Sequence, residues 1–244
     1  MSNLKEYILE SLSTGTIIDG HIHCIGGKQM PRTADIQVCA LNDWPDMPRV
    51  ENYTSYEPWF GTDDYVIGIG ASEEEMGKML ADDRFDGYGE FLAYKILKDG
   101  KVASHLEDAK KAANLTNKPI YIHFDLLPDN YDTIFRFLNT TSSKKIVLCH
   151  CGLSRRTDDD TAFNLFIHLI NDCPNLYGDI SWHALTYIIE NPEKLLQCPS
   201  GRIIVGTDCS ERDSDLALKH RKENFLKIAE RIDNTKNIRK LFQQ

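Results

Sequence analysis

No apolar run in this sequence approaches the ~20 residues that a membrane-crossing helix needs, so none is expected. The first residues, Met1 to Leu12, read as an amphipathic polar helix without the apolar centre of a signal peptide. Cysteine is scarce and odd in number, seven residues with no spacing that suggests a disulfide framework. A reducing, cytoplasmic setting is the expectation. Positive charge is in the minority: 28 Lys and Arg face 37 Asp and Glu, a formal net charge of −9. That balance disfavours nucleic acid as a partner without excluding it, because a basic groove can sit on an acidic protein. Linkers, internal repeats and low-complexity tracts are lacking too, so residues 1–244 are read as one domain.

What the chain does have is an alternation of two kinds of segment. Short apolar runs rich in Ile, Val and Tyr occupy Thr16–Cys24, Ala34–Leu41, Tyr65–Ala71, Phe85–Tyr94, Pro119–Asp125, Lys145–Gly152, Leu176–Trp182 and Arg202–Ser210. Several lack polar alternation, as strands do when both faces of a parallel sheet are covered. Between them, Asp129–Asn139, Asp160–Asp172 and Ser214–Ile232 carry apolar residues at helical intervals, and a short last helix fits Asn237–Phe242. Ser72 with Glu75 and Ser104 with Glu107 match the capping-box spacing at helix starts. Strand followed by helix, repeated, predicts an α/β fold: a (β/α)8 barrel of the TIM type. Some irregularity is expected around strands 1–3. There Gly26–Thr33 is too short and too rich in Gly and Pro for a helix, and Asn42–Asp64 is an aromatic, Pro-marked loop. It reads equally as a lid or pocket wall and as a plug.

The chemistry gathers at strand ends. In a strand, alternate side chains share a face, so His21 and His23 of Asp19-Gly20-His21-Ile22-His23 point the same way. Two imidazoles converging from one strand suit a divalent metal. Later apolar runs end in His123, His150 and Asp208, and Glu90 sits in Gly87-Tyr88-Gly89-Glu90. In a parallel barrel these ends open onto one face, where active sites form. Unpaired imidazoles and carboxylates there would be costly, and a shared cation is the simplest partner for His21, His23, Glu90, His123, His150 and Asp208.

This combination of His-x-His, two later strand-end histidines and a final Asp resembles the amidohydrolase superfamily. Asp19-Gly20-His21-Ile22-His23, His150-Cys151-Gly152, Asn175-Leu176-Tyr177-Gly178-Asp179, Gly206-Thr207-Asp208 and Asn237-Ile238-Arg239-Lys240-Leu241-Phe242 resemble its amidohydrolase-related branch. Gly89-Glu90 departs from the bridging carboxylated lysine of many binuclear members and is similar to the bridging glutamate of TatD-like deoxyribonucleases. Lys95 is read as a surface or substrate-contacting group beyond the strand. The binuclear resemblance implies one metal on His21, His23 and Asp208, another on His123 and His150, and Glu90 between them. The mononuclear one implies a single metal on His21, His23, His123 and Asp208, with His150 acting on substrate.

The expected activity is metal-dependent hydrolysis of a small-molecule amide, lactone or other ester, with zinc or alternatively manganese, in one or two ions. A cation acidifies water toward a pKa of ~7 and polarises the scissile group. Asp208 is the expected general base, and His150 the second catalytic candidate. A TatD-like nuclease and a non-hydrolytic decarboxylase are the alternatives. Trp182 and His183 follow the seventh strand and Arg155 the sixth, so these three are candidate substrate contacts. Arg155 and Arg156 read equally as ion-pair partners of the Asp158-Asp159-Asp160 run. By strand alternation Cys149 and Cys151 should point away from His150. His105 and His220 are read as surface groups and His168 as a packed helix histidine. With little chain left for a capping domain, the barrel mouth is expected to be partly open or covered by a second copy in a homo-oligomer.

Overall fold

The computed structural model describes residues 17–24, 34–41, 65–68, 73–143, 145–210 and 213–243. Strands β1 (Ile18–Cys24), β2 (Ile36–Leu41), β3 (Tyr65–Gly68), β4 (Gly87–Ile96), β6 (Ile120–Phe124), β7 (Ile146–Leu148), β8 (Leu176–Ile180) and β9 (Ile203–Val205) lie side by side in that order. Every neighbouring pair along this path is parallel. The ring closes through β10 (Cys209–Ser210), which continues from β9 and pairs in parallel with β1. Helices α1 (Glu73–Leu80), α2 (Leu106–Leu115), α3 (Tyr131–Thr140), α4 (Asp159–Asp172), α5 (Trp182–Glu190), α6 (Asp215–Ala229) and α7 (Asn234–Phe242) are interleaved with the strands. The result is the TIM-type barrel expected from the β–α repeat.

Apolar side chains divide into two shells. One joins outward-facing strand residues such as Ile122, Leu148 and Ile180 to helix residues such as Ile134, Phe166 and Ile188. The other fills the barrel: Ile18, Val38, Ile67, Tyr121, Val147, Tyr177 and Ile204, with Ile238 and Leu241 of α7 packed on them. Helix α7 is pinned there because Asn234 Nδ2 donates to the carbonyls of Ile18 and Val205, each at 2.9 Å. This end is therefore filled, and polar groups at the strand C-termini face the other.

The elements depart from the expected boundaries in instructive ways. The sixth run stops being a strand at Leu148, where Cys149–Gly152 forms a tight turn. The seventh stops at Ile180, and Trp182 opens helix α5, which the apolar periodicity did not single out. The eighth splits around Gly206–Asp208. A Cβ on Gly206 would lie 2.5 Å from the His21 nitrogen, so glycine permits this close approach to β1. Ser104 does not cap α2: its hydroxyl donates to the Ala93 carbonyl at 3.1 Å. The expectations for Met1–Leu12, Gly26–Thr33, Asn42–Asp64 and the Ser72 cap lie outside the described residues. Among the described residues no helix is long and apolar enough to cross a membrane.

Candidate metal centre

Backbone irregularities aim the polar side chains. A register shift between Asp19 and Ile22 lets Ile18 fill the barrel while His21 and His23 turn inward further along the same strand. On β4, Gly89 has φ +120°, and a Cβ there would lie 2.2 Å from the Tyr121 carbonyl oxygen. Only glycine fits, and the shifted register beside it delivers Glu90 inward. On β7, alternation puts Val147 and Cys149 inside, which would send His150 out toward the helices. Left-handed backbone at His150 (φ 55°) and Cys151 (φ 52°) reverses that and swings His150 into the mouth. Cys149 therefore shares the interior with His150, within reach of His21 and Asp179, contrary to the expectation that it points away from His150; Cys151 does face the helices.

Six buried or nearly buried side chains meet there. His21, His23 and Asp208 form one potential ligand group, and Glu90, His123 and His150 another. Glu90 spans both. Its Oε2 lies 3.6 Å from His21 Nε2 and 3.5 Å from His23 Nε2. Its Oε1 lies 2.8 Å from His123 Nδ1 and 3.5 Å from His150 Nε2. Asp208 Oδ1 is 2.6 Å from His23 Nε2 and 3.9 Å from His21 Nε2. His21 Nε2, His23 Nε2, Glu90 Oε2 and Asp208 Oδ1 are all buried without a hydrogen-bond partner, so even the 2.6 Å contact lacks hydrogen-bond geometry. Around a tetrahedral ion with bonds of about 2.1 Å, ligand atoms stand about 3.4 Å apart. The measured separations among the four orphaned atoms, 2.6 to 3.9 Å, bracket that spacing, and a cation would satisfy all of them. They fit one.

Outside this cluster, one carboxylate sets two imidazoles. His21 Nδ1 donates to Asp179 Oδ2 at 2.7 Å. Ser181 Oγ donates to the same oxygen at 2.6 Å and accepts from His150 Nδ1 at 2.9 Å. Both histidines are thereby left with Nε2 facing the cluster, the role that outer hydrogen bonds play at metal sites. Asp125 Oδ1 takes His123 Nε2 at 3.1 Å, which leaves Nδ1 toward Glu90. Neither Asp179 nor Asp125 was singled out from sequence, although the position of Asp179 near a strand end was a usable signal.

Protonation follows the same contacts. Burial alone would lower the His21 pKa, but Asp179 and Glu90 override it and hold it well above the ordinary value. His123 is likewise raised, with burial and Lys95 opposed by Asp125 and Glu90. Burial would raise Glu90, yet its contacts with His123, His150 and His21 keep it well below the usual carboxylate range. Asp208 is held low against burial by His23, His150 and His21. Its backbone is left-handed (φ 53°), and Arg221 donates to its carbonyl oxygen.

The remaining candidates are more dispersed. Lys95 is a buried residue of β4, not a surface group beyond it, because the strand runs on to Ile96 and pairs with the short antiparallel β5 (Val102–Ala103). Its Nζ lies 3.2 Å from His123 Nε2. Trp182 packs edge-on to His150, ring centroids 5.3 Å apart. His183 is turned to Asp159 at 2.9 Å. Among the described residues the acidic run does not pair with Arg155 or Arg156. Asp158 caps α4 by accepting from the Thr161 nitrogen, and Asp160 takes Tyr187 and Lys194. His168 lies on the exposed face of α4 instead of being packed, His105 is half-buried and His220 is exposed.

No family model matches the chain, and no curated protein is detectably similar to it. Solved structures are. A ligand-free Agrobacterium tumefaciens protein matches over 93% of this chain and 95% of its own, at 16% identity and a TM-score of 0.52. A zinc-bound amidohydrolase of Burkholderia multivorans matches over the same shares at 12% identity and a TM-score of 0.44. What the Agrobacterium protein shares with this chain is the fold.

Proposed function

We propose that this chain is a metal-dependent hydrolase of the amidohydrolase superfamily, acting on a small-molecule amide, lactone or other ester. The observation that carries the reading is the convergence of four buried, partnerless ligand atoms from His21, His23, Glu90 and Asp208. His21, His23 and Asp208 would hold one cation, zinc first and manganese as the alternative, and His123 and His150 a second, with Glu90 between them. Such a cation supplies Lewis acidity to a carbonyl group and an acidified water at neutral pH.

The chain's own residues do the rest. Asp208, pinned by Arg221 and at the edge of the cluster, would accept the proton of the attacking water and pass it to the leaving group. Asp179 and Ser181 keep His21 and His150 in the ligating tautomer. Trp182 walls the approach beside His150, and Arg155 and His183 flank it at greater distance. A cytoplasmic setting suits the free buried thiols of Cys149, Cys151 and Cys209.

Elemental mass spectrometry on protein purified without chelator tests the site. About two ions per chain supports the Glu90-bridged pair, about one supports the His21, His23 and Asp208 group alone, and none after zinc or manganese addition removes the reading. Hydrolysis of a lactone and anilide panel tests the activity. Asp208→Asn should lose turnover by at least ~100-fold while retaining substrate binding; unchanged turnover removes Asp208 as the base.

A further inference from the structure

A cavity of about 500 Å³ opens beside the cluster, with Lys95, Lys98, Arg155, Arg156 and Trp182 in its wall. It adjoins the ligand group directly, through Lys95 Nζ at 3.2 Å from His123 and Trp182 beside the His150 ring. Its charge runs against that of the whole chain. Four cationic side chains line it against Asp99 and Asp125, in a protein of net charge −9. Both carboxylates are already engaged. Asp99 takes Lys101 at 2.8 Å, and Asp125 accepts from the Ile96 nitrogen at 2.7 Å and pairs with His123.

Arg155 has no carboxylate partner among the described residues, since each aspartate of the nearby acidic run is committed elsewhere. Its guanidinium carbon instead sits 5.4 Å from the centre of the Trp182 ring. Lys95 Nζ lies 5.7 Å from the same centre. A cationic fork held on an aromatic wall, beside a reactive cluster, is the arrangement that recognises a flat oxyanion.

Resting on the hydrolase reading, we propose that this cavity takes the carboxylate of a singly charged substrate, gripped by Arg155, with the substrate body against Trp182 and its scissile carbonyl toward the cluster. A guanidinium matches a carboxylate with two parallel hydrogen bonds. Asp99 and Asp125, although engaged, keep their carboxylate charge in the same wall and offset part of its positive charge, so a singly charged carboxylate is the better match than a phosphate dianion.

The test is calorimetric binding of benzoate, benzamide and phenyl phosphate to the full chain, with zinc added and again after chelation. Benzoate should bind in both states, more tightly than benzamide or phenyl phosphate. Arg155→Gln should weaken benzoate by about tenfold, the low end for a charge-assisted pair at an exposed side chain, with benzamide unaffected. Arg155→Lys should fall between. Equal binding of benzoate and benzamide, or no response to Arg155→Gln, overturns the proposal. Benzoate binding that disappears on chelation places the carboxylate on the cation and overturns it too. Tighter binding of phenyl phosphate reassigns the cavity and overturns the carboxylate. Failure of the hydrolase reading is separate: it shows as absent metal or absent turnover, with the Arg155-dependent binding intact.

Discussion

Replacing Asp179 by Asn tests whether one carboxylate orders both halves of the metal centre. Asp179 Oδ2 accepts from His21 Nδ1 at 2.7 Å and from Ser181 Oγ at 2.6 Å, and Ser181 in turn holds His150 Nδ1. An asparagine oxygen can occupy the same place and keep both hydrogen bonds, so the fold should survive. What disappears is the negative charge. A charge-assisted hydrogen bond is about twice as strong as a neutral one, so the loss at His21 is on the order of 1–1.5 kcal/mol. His21 Nε2 then becomes a weaker donor to the cation, and zinc affinity should fall about tenfold, the lower end for outer-shell changes. Competition with a chromophoric chelator at fixed pH reads this directly, with circular dichroism to verify the fold. Affinity within twofold of the unaltered chain, with the fold intact, would refute the coupling of Asp179 to the ligands.

Three further outcomes follow from the same contacts. In the metal-free chain the pKa of His21 is held well above the ordinary histidine value and that of His123 is raised too, so cation uptake near neutral pH should release protons, and affinity should fall as pH drops. Calorimetry in buffers of different ionisation enthalpy counts those protons, and zero release contradicts the assignment. Stability of the metal-free chain should peak at intermediate pH. The raised His21 contributes fully below about pH 6.5 and loses its share as pH rises through its folded value, while the depressed Glu90 contributes above about pH 4.5 and loses its share on acidification. Denaturant melts across pH check this, and a flat profile counts against both contacts. Gly89→Ala should destabilise by about 3 kcal/mol or more, because its Cβ meets the Tyr121 oxygen at φ +120°; a stability change below about 1 kcal/mol in urea melts would contradict the close approach.

Periodicity and residue type, which are properties of the sequence alone, determined the barrel. Eight short apolar runs separated by helical stretches leave few ways to cover both faces of a parallel sheet. The same local logic located the polar groups His21, His23, Glu90, His123, His150 and Asp208, since a polar residue within or at the end of an apolar run is visible without knowing its neighbours, although Glu90 lies inside β4 and not at its end. Tertiary structure alone decided which way those side chains point. Alternation holds only while the backbone stays extended, and it fails at the shifted register of β1, at Gly89 and at the left-handed turn of His150. Contacts between folded elements decided the rest: Asp179 reaching His21 across the barrel from β8, Asp125 steadying His123 from just past the end of the same strand, and Lys95 kept on a strand by the return of the chain in β5. The Asp179–His21 pair joins residues far apart in the chain, and its energy comes from burial and hydrogen bonding that exist only once the strands have closed.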